Sequence, residues 1–272
     1  MVGAKSVLDL IALIILLLFG WMVSYTNRGA ADPVWTAIQE RGALRVGVDP
    51  GFRPFAIERD GQLTGYDIDL AAELARRLNL RVEFVPLAYD ALYDALSMRQ
   101  VDLLAAALPL APEQGWRARF STPYLNAGQV LVVRRDGPLD PARPQLAGRA
   151  VGVALGSDAD TYARGLSHRD PSIVVRSAFE TPAEALAALN RGEVDAVITD
   201  AVTALAAMPA YPRLTIAAEA LTFDPYVLAV PVEAYRLHSE VNRVLEAMRA
   251  EGVFAQLNER WFRPDTVFQI RK

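Results

Sequence analysis

Residues 101–108 and 194–198 are apolar at almost every position, and each run follows a segment with helical periodicity. A strand with one face in water alternates apolar and polar residues, so near-continuous runs are strands covered on both faces, as in parallel sheets flanked by helices. Upstream, residues 44–48 read as a strand and residues 64–79 as a helix. On that helix Tyr66, Leu70, Leu74 and Leu78 share a face, and Asp69, Glu73, Arg76 and Arg77 lie elsewhere. A strand follows at 82–85, then a helix carrying Leu92 and Leu96 that Asp90 can cap, which completes a β-α-β-α-β order before residue 109.

The order starts again with strands at 130–133 and 150–154, a helix after Gly156 and a strand at 173–176. Thr181-Pro182-Ala183-Glu184 forms a capping box with proline at the first helical position, and Gly192 stops that helix ahead of the strand that ends near Asp200. Strands separated by helices predict parallel pairing with right-handed crossovers. Two such units predict two α/β lobes with ligand chemistry at the carboxyl ends of the strands, between the lobes. Near the end, Val241, Val244, Leu245 and Met248 form one apolar helical face stopped by Gly252, and Phe254, Leu257 and Trp261 form another; all read as packing residues.

With 52% hydrophobic and 22% charged residues, the chain can bury an ordinary core beneath a soluble surface. A net charge of −4, with no basic run interleaved with aromatics, argues against nucleic acid as a partner. The sequence holds no cysteine and only two histidines, His168 and His238, which removes thiolate chemistry, disulfides, lipid attachment through cysteine and most zinc geometries. No cofactor or metal is expected. Residues 10–23, LIALIILLLFGWMV, carry no charge and are followed by Gly29-Ala30-Ala31, small residues suited to cleavage. The run is short of the ~20 residues of a spanning helix and matches the apolar region of a signal peptide. Residues 1–31 are therefore expected to be a signal peptide or an N-terminal membrane anchor, and either one exports the remainder.

Eight segments, in this order and spacing, resemble the bacterial extracellular solute-binding proteins of the polar amino-acid type, family 3. They are LRVGVDPGFRPF from Leu44, LTGYDIDLAAELARRL from Leu63, VEFVPLAYDALYDAL from Val82, VDLLAAALPLAPEQ from Val101, FSTPYLNAGQVLVV from Phe120, LAGRAVGVALGS from Leu146, ALAALNRGEVDAVITD from Ala185 and GVFAQLNERWF from Gly252. The resemblance implies a two-lobed periplasmic-binding-protein type II fold with a hinge of two crossing strands. Lobe 1 would comprise residues 43–128 plus 226–264, and lobe 2 residues 129–225. It further implies a monomer that encloses a small molecule for the permease of an ABC importer, on the outer side of the membrane.

Residue by residue, the resemblance places Asp200 where family members bind the ligand α-amino group. Asp49, Phe52, Phe55 and Tyr89 fall at the positions of an acid and the aromatics that sandwich the ligand, although Phe55 also suits a core. Asp67 matches a position that reads the ligand side chain in some members, and equally suits a helix-start carboxylate. Ala107, Pro109, Gly156, Ser157 and Asp158 complete the expected pocket wall.

Here the sequence departs from the family. The arginine that pairs with a ligand carboxylate is replaced by Gln114, hydroxyl positions hold Ala106, Ala107 and Pro109, and Asp158 stands where threonine often opens an anion-holding helix. These changes point away from a zwitterionic α-amino acid and towards a cationic or neutral solute, unless Arg117 or Arg119 supplies the charge from a shifted position. Two other functions remain open at this stage. One is a membrane-tethered sensor or accessory protein. The other is a cyclohexadienyl dehydratase-like enzyme, which also needs a carboxylate-binding cation and is disfavoured for that reason.

Overall fold

The computed structural model describes residues 32–262. The expected signal peptide or anchor at residues 1–31 lies outside the described residues, and no described helix is long and apolar enough to cross a membrane. Asp32 caps the first helix, α1 (Pro33–Arg41), accepting from the Val34 and Trp35 N–H groups at 3.0 Å. Then come β1 (Ala43–Val48), a hairpin of β2 (Ile57–Arg59) and β3 (Gln62–Thr64), α2 (Tyr66–Arg77), β4 (Arg81–Pro86), α3 (Leu92–Ser97) and β5 (Leu103–Pro109). Short strands β6 (Ala118–Phe120) and β7 (Leu125–Asn126) lead into β8 (Gln129–Arg134), β9 (Ala150–Ala154), α4 (Asp158–Arg169), β10 (Val174–Phe179), α5 (Pro182–Arg191) and β11 (Ala196–Asp200). The remaining elements are α6 (Ala201–Ala207), β12 (Leu214–Ala220), β13 (Pro225–Pro231), α7 (Tyr235–Ala250) and α8 (Val253–Trp261).

Two sheets organise these elements. The first has the order β4-β1-β5-β13-β6, with β7 also pairing β13, and the second has the order β10-β9-β11-β8-β12. Parallel pairing, expected throughout, holds for β1 with β4 and β5 and for β9 with β10 and β11. In contrast, β13 is antiparallel to β5, β6 and β7, and β8 is antiparallel to β11 and β12. These antiparallel strands adjoin the passages between the sheets, where no crossover helix forces a parallel return.

The doubly apolar runs are explained by cover on both faces. Leu103, Ala105 and Ala107 of β5 join a core with Leu44, Leu70, Leu74, Val241, Leu245 and Met248. Leu104, Ala106 and Leu108 face the opposite way, against Leu92 and Leu96. The second sheet repeats the arrangement, with Val197 packed towards Leu186 and Leu189 and Ile198 towards Val151, Val153 and Ala163. Helix α5 ends as its sequence dictates. Thr181 Oγ1 accepts from the Glu184 N–H at 3.2 Å, and Gly192 closes the helix at φ 84°. The Glu184 carboxylate accepts from the Glu180 N–H at 2.9 Å, one residue before the cap. Asp90, expected to cap α3, makes no capping bond, because a 3₁₀ turn at Tyr89–Ala91 leads into that helix.

Two connections, around residues 126–129 and 221–225, carry the chain between the sheets and run side by side. Asn126 Oδ1 accepts from the N–H groups of Gly128 at 3.0 Å and Asp224 at 2.9 Å, and its amide donates to the Thr222 carbonyl at 3.1 Å. The Gln129 N–H donates to Thr222 Oγ1 at 2.7 Å, and the Ala127 N–H to the Asp224 carbonyl at 2.9 Å. A side chain at residue 128 would put its Cβ 2.4 Å from the Thr222 carbonyl oxygen, so glycine is what permits this approach.

Candidate functional site

The candidate residues cluster at the carboxyl ends of strands in both sheets. Beyond β1, half-buried Asp49 accepts the Gly51 N–H at 2.9 Å in a tight turn. Phe52, 40% exposed, stacks on Phe55 at 5.3 Å between ring centroids. Tyr89, 52% exposed, lies in the 3₁₀ turn after β4. Pro109 is exposed at the end of β5, opposite Tyr226 of β13.

Three candidates point inward instead. Phe55 is fully buried, edge-on to Tyr226 at 5.5 Å and to Phe262 at 6.2 Å, so it supports Phe52 from the core. Ala107 is buried as well, at a left-handed φ of 45°. Asp67 is 0% exposed and its carboxylate is fully used, accepting the Ala107 N–H at 2.6 Å and the Tyr124 hydroxyl at 2.8 Å. The turn before α2 sets this direction. Gly65, at φ 148°, lets the Asp67 N–H reach the Phe55 carbonyl at 2.9 Å, and a Cβ there would sit 2.1 Å from that oxygen. Asp67 therefore fastens the bend in β5 from behind. Burial pushes its pKa up to about 7, against the opposing pull of the Tyr124 and Ala107 bonds.

Gln114 lies half-buried in the turn Pro112–Gln114, with its side-chain oxygen buried and without a partner among the described residues. Arg117 and Arg119, the two arginines nearest to it in sequence, are both engaged. Arg117 pairs with Asp94 and lies 5.4 Å from the ring centroids of both Tyr93 and Trp116. Arg119 sits 4.2 Å above the Tyr235 ring and donates to the Val232 carbonyl at 3.3 Å.

In the second sheet the start of α4 is sealed from within. Ser157 Oγ accepts the Asp160 N–H at 3.2 Å and donates to the Ala154 carbonyl at 2.7 Å. The Gly156 N–H, which would suit an anion, donates at 3.1 Å to Asp160, an acid the sequence reading passed over. Asp160 is buried and paired with Arg164 at 2.8 Å. Burial opposes its charge, but the Gly156 N–H and the Arg164 guanidinium prevail and hold its pKa below the usual range. Asp158 is exposed beside it at the first helical position. Two carboxylates now occupy the place where an incoming anion would be held.

Asp200 ends β11 half-buried and caps α6, with Oδ1 accepting from the Thr203 N–H at 2.8 Å. Its Oδ2 lies 3.4 Å from Thr199 Oγ1. The residue that sequence reasoning missed is Tyr226. It sits on β13 just past the second connection, and its half-buried ring packs on Phe55. Its pKa is pushed up to about 12, first by burial and then by the negative charges of Asp224 and Asp200. The signal was the alternation Tyr226, Leu228, Val230 along one face of a strand; only the topology shows that the first of the three reaches the passage between the sheets.

Comparison with known proteins agrees with this architecture. The family model for bacterial extracellular solute-binding proteins, family 3, matches residues 44–264. The L-cystine-binding protein TcyJ of Escherichia coli (strain K12) is 27% identical over 239 residues, 87% of this chain and 88% of the relative. The crystal structure of an ancestral cyclohexadienyl dehydratase is 30% identical with a TM-score of 0.71, covering 83% of this chain and 95% of that one. An ancestral cationic amino acid solute-binding protein is 32% identical with a TM-score of 0.58, covering 84% and 99%. A matching family model over most of its length, together with two α/β sheets joined by paired connections, makes this chain a member of the bacterial extracellular solute-binding proteins, family 3.

Proposed function

We propose that this chain captures a small polar solute bearing a cationic group, or a neutral polar one, and passes it to the permease of an ABC importer on the outer side of the membrane. The solute lies between lobe 1, residues 43–128 plus 226–264, and lobe 2, residues 129–225. The observation that carries the ligand class is the imbalance of charge at the strand ends: Asp49, Asp158 and Asp200 stand there, while Arg117 and Arg119 are committed elsewhere. A carboxylate drawn among these acids loses its water without gaining Arg117 or Arg119 as a partner, at a cost of several kcal/mol. An ammonium group gains charge-assisted hydrogen bonds from the same acids, and the half-exposed rings of Phe52 and Tyr89 suit a cation. The relative described as a cationic amino acid solute-binding protein supports a positively charged ligand.

A thermal-shift screen of the full chain in mild detergent, against amino acids, amines, polyamines, betaines and small sugars, tests the proposal. A ligand bound only by the folded form raises Tm. The expected result is a shift with amines or polyamines that Asp200→Asn abolishes. Tight binding of a common amino acid, unaltered by Asp158→Ala, refutes the ligand class. No shift with any compound refutes solute capture and directs attention to a protein partner.

A further inference from the structure

We propose that Gln129 is a ligand contact that sets specificity, its side-chain amide oxygen accepting an N–H from the cationic group drawn to Asp200; this rests on the amine reading of the site and deepens it. Three observations converge on it. First, Gln129 opens β8 directly opposite Asp200 of β11, and the two strands are antiparallel, so both side chains leave the same face of the sheet. The Ala201 N–H donates to the Gly128 carbonyl at 2.9 Å, which makes residues 129 and 200 a non-hydrogen-bonded pair, the kind whose facing Cα atoms lie about 4.5 Å apart. Second, that face is the one α4 covers. Leu131 and Ile198, each two residues further in, pack with Ala159 and Ala163, so the pair continues the face towards the end where α4 begins with Ser157 and Asp158. Third, the side-chain oxygen of half-buried Gln129 is itself buried and has no hydrogen-bond partner among the described residues, although the backbone of the residue is fully engaged. Its N–H donates to Thr222 Oγ1 at 2.7 Å, and its carbonyl accepts the Leu221 N–H at 2.8 Å.

These facts give the carboxamide a defined chemistry. A buried acceptor without a donor is destabilising, and a bound molecule that brings a donor removes that cost. An ionised carboxylate only accepts and cannot supply the missing donor, whereas an ammonium group carries up to three and is also what the charge of Asp200 attracts. Asp200 already accepts from the Thr203 N–H at 2.8 Å and lies 3.4 Å from Thr199 Oγ1, so part of its accepting capacity is committed to the protein. Gln129 adds a neutral acceptor that no described residue uses, on a strand end held in place by the paired connections between the sheets. A fully methylated ammonium has no N–H to give and gains nothing from this oxygen. Gln129 thereby favours primary amines, while Phe52 and Tyr89 would accept either kind.

The test is calorimetry on the full chain in mild detergent with 1,4-diaminobutane as the probe, comparing the wild type with Gln129→Met and Gln129→Glu. Methionine keeps the length of the side chain and removes both amide groups. Loss of a hydrogen bond to a charged group predicts that Gln129→Met weakens the diamine by about tenfold or more. Gln129→Glu restores an acceptor oxygen and should bind the diamine at least as tightly as the wild type. A second readout needs no ligand. The amide oxygen has no protein partner to lose, so the Tm of ligand-free Gln129→Met should equal or exceed that of the wild type. Diamine binding within about twofold of wild type in Gln129→Met overturns the assignment, and equal losses in both variants overturn it too, because side-chain shape is then what matters. A clear fall in the ligand-free Tm, or a Gln129→Met variant that does not fold, overturns it by showing that the carboxamide serves the fold. Failure of the amine reading is seen elsewhere: the wild type itself then gives no binding heat with the diamine, and the N–H contact falls with it.

Discussion

Replacing Asp67 by asparagine should change how stability depends on pH. The Asp67 carboxyl has its pKa raised from 3.8 to about 7 by burial. Between these values the folded protein keeps a proton that the unfolded chain releases, so stability declines as pH rises from about 4 to about 7 and is level above that. At about 1.4 kcal/mol per pH unit, the interval corresponds to on the order of 4 kcal/mol. Asparagine is nearly isosteric. Its carbonyl can accept the Ala107 N–H and its amide can donate to the Tyr124 hydroxyl oxygen, so both existing contacts have a substitute. At acid pH the variant and the wild type should therefore be close, and near pH 7 the variant should be the more stable by up to about 4 kcal/mol. Urea unfolding of both proteins across this pH range checks it, because every other titrating group cancels in the difference. A difference that stays flat with pH refutes the reasoning that Asp67 is buried without a compensating cation.

Three further outcomes follow from local geometry. Thr181→Ala removes the bond to the Glu184 N–H and should lower stability by about 1 kcal/mol in urea unfolding. Gly128→Ala drives a methyl group into the Thr222 carbonyl and should cost about 1–3 kcal/mol, visible as a lower Tm. Arg117→Ala should leave the affinity for any ligand found in the screen within about twofold, since the guanidinium is held by Asp94 and the Tyr93 and Trp116 rings; a large loss would show that it serves the ligand.

Elements whose signals are local were legible in the sequence. The cover of β5 on both faces follows from its unbroken apolar run, and α5 carries its own start and stop in Thr181 and Gly192. Strand direction was not local: β8 and β13 have the composition of parallel strands, yet their direction is set by a chain that passes between sheets without a helix. The same limit governs the site. Asp67 and Asp69 both lie in the first turn of α2, and only the turn at Gly65 determines that Asp67 faces the core while Asp69 accepts from the Trp261 indole at 2.8 Å. Asp158 and Asp160 exchange roles in a similar way, since the helix buries the second and leaves the first in solvent. Tyr226 was hidden because an aromatic at the start of an apolar strand looks like core until its neighbours across the sheet are known.

The strand order β4-β1-β5-β13-β6 also has a consequence for how the chain matures. Strand β13 lies between β5 and β6 although more than a hundred residues separate its start from both, with the whole second sheet in between. During synthesis β5 thus emerges with an unpaired, strongly apolar edge, and it remains a template for unwanted strand pairing until residues 225–231 arrive. Closing the first sheet is a contact of high sequence separation, which slows folding. Because the second sheet is complete in sequence before β13 appears, it can form first and bring β13 back beside β5 through the stitched connections, shortening the search for the last central strand of the first sheet.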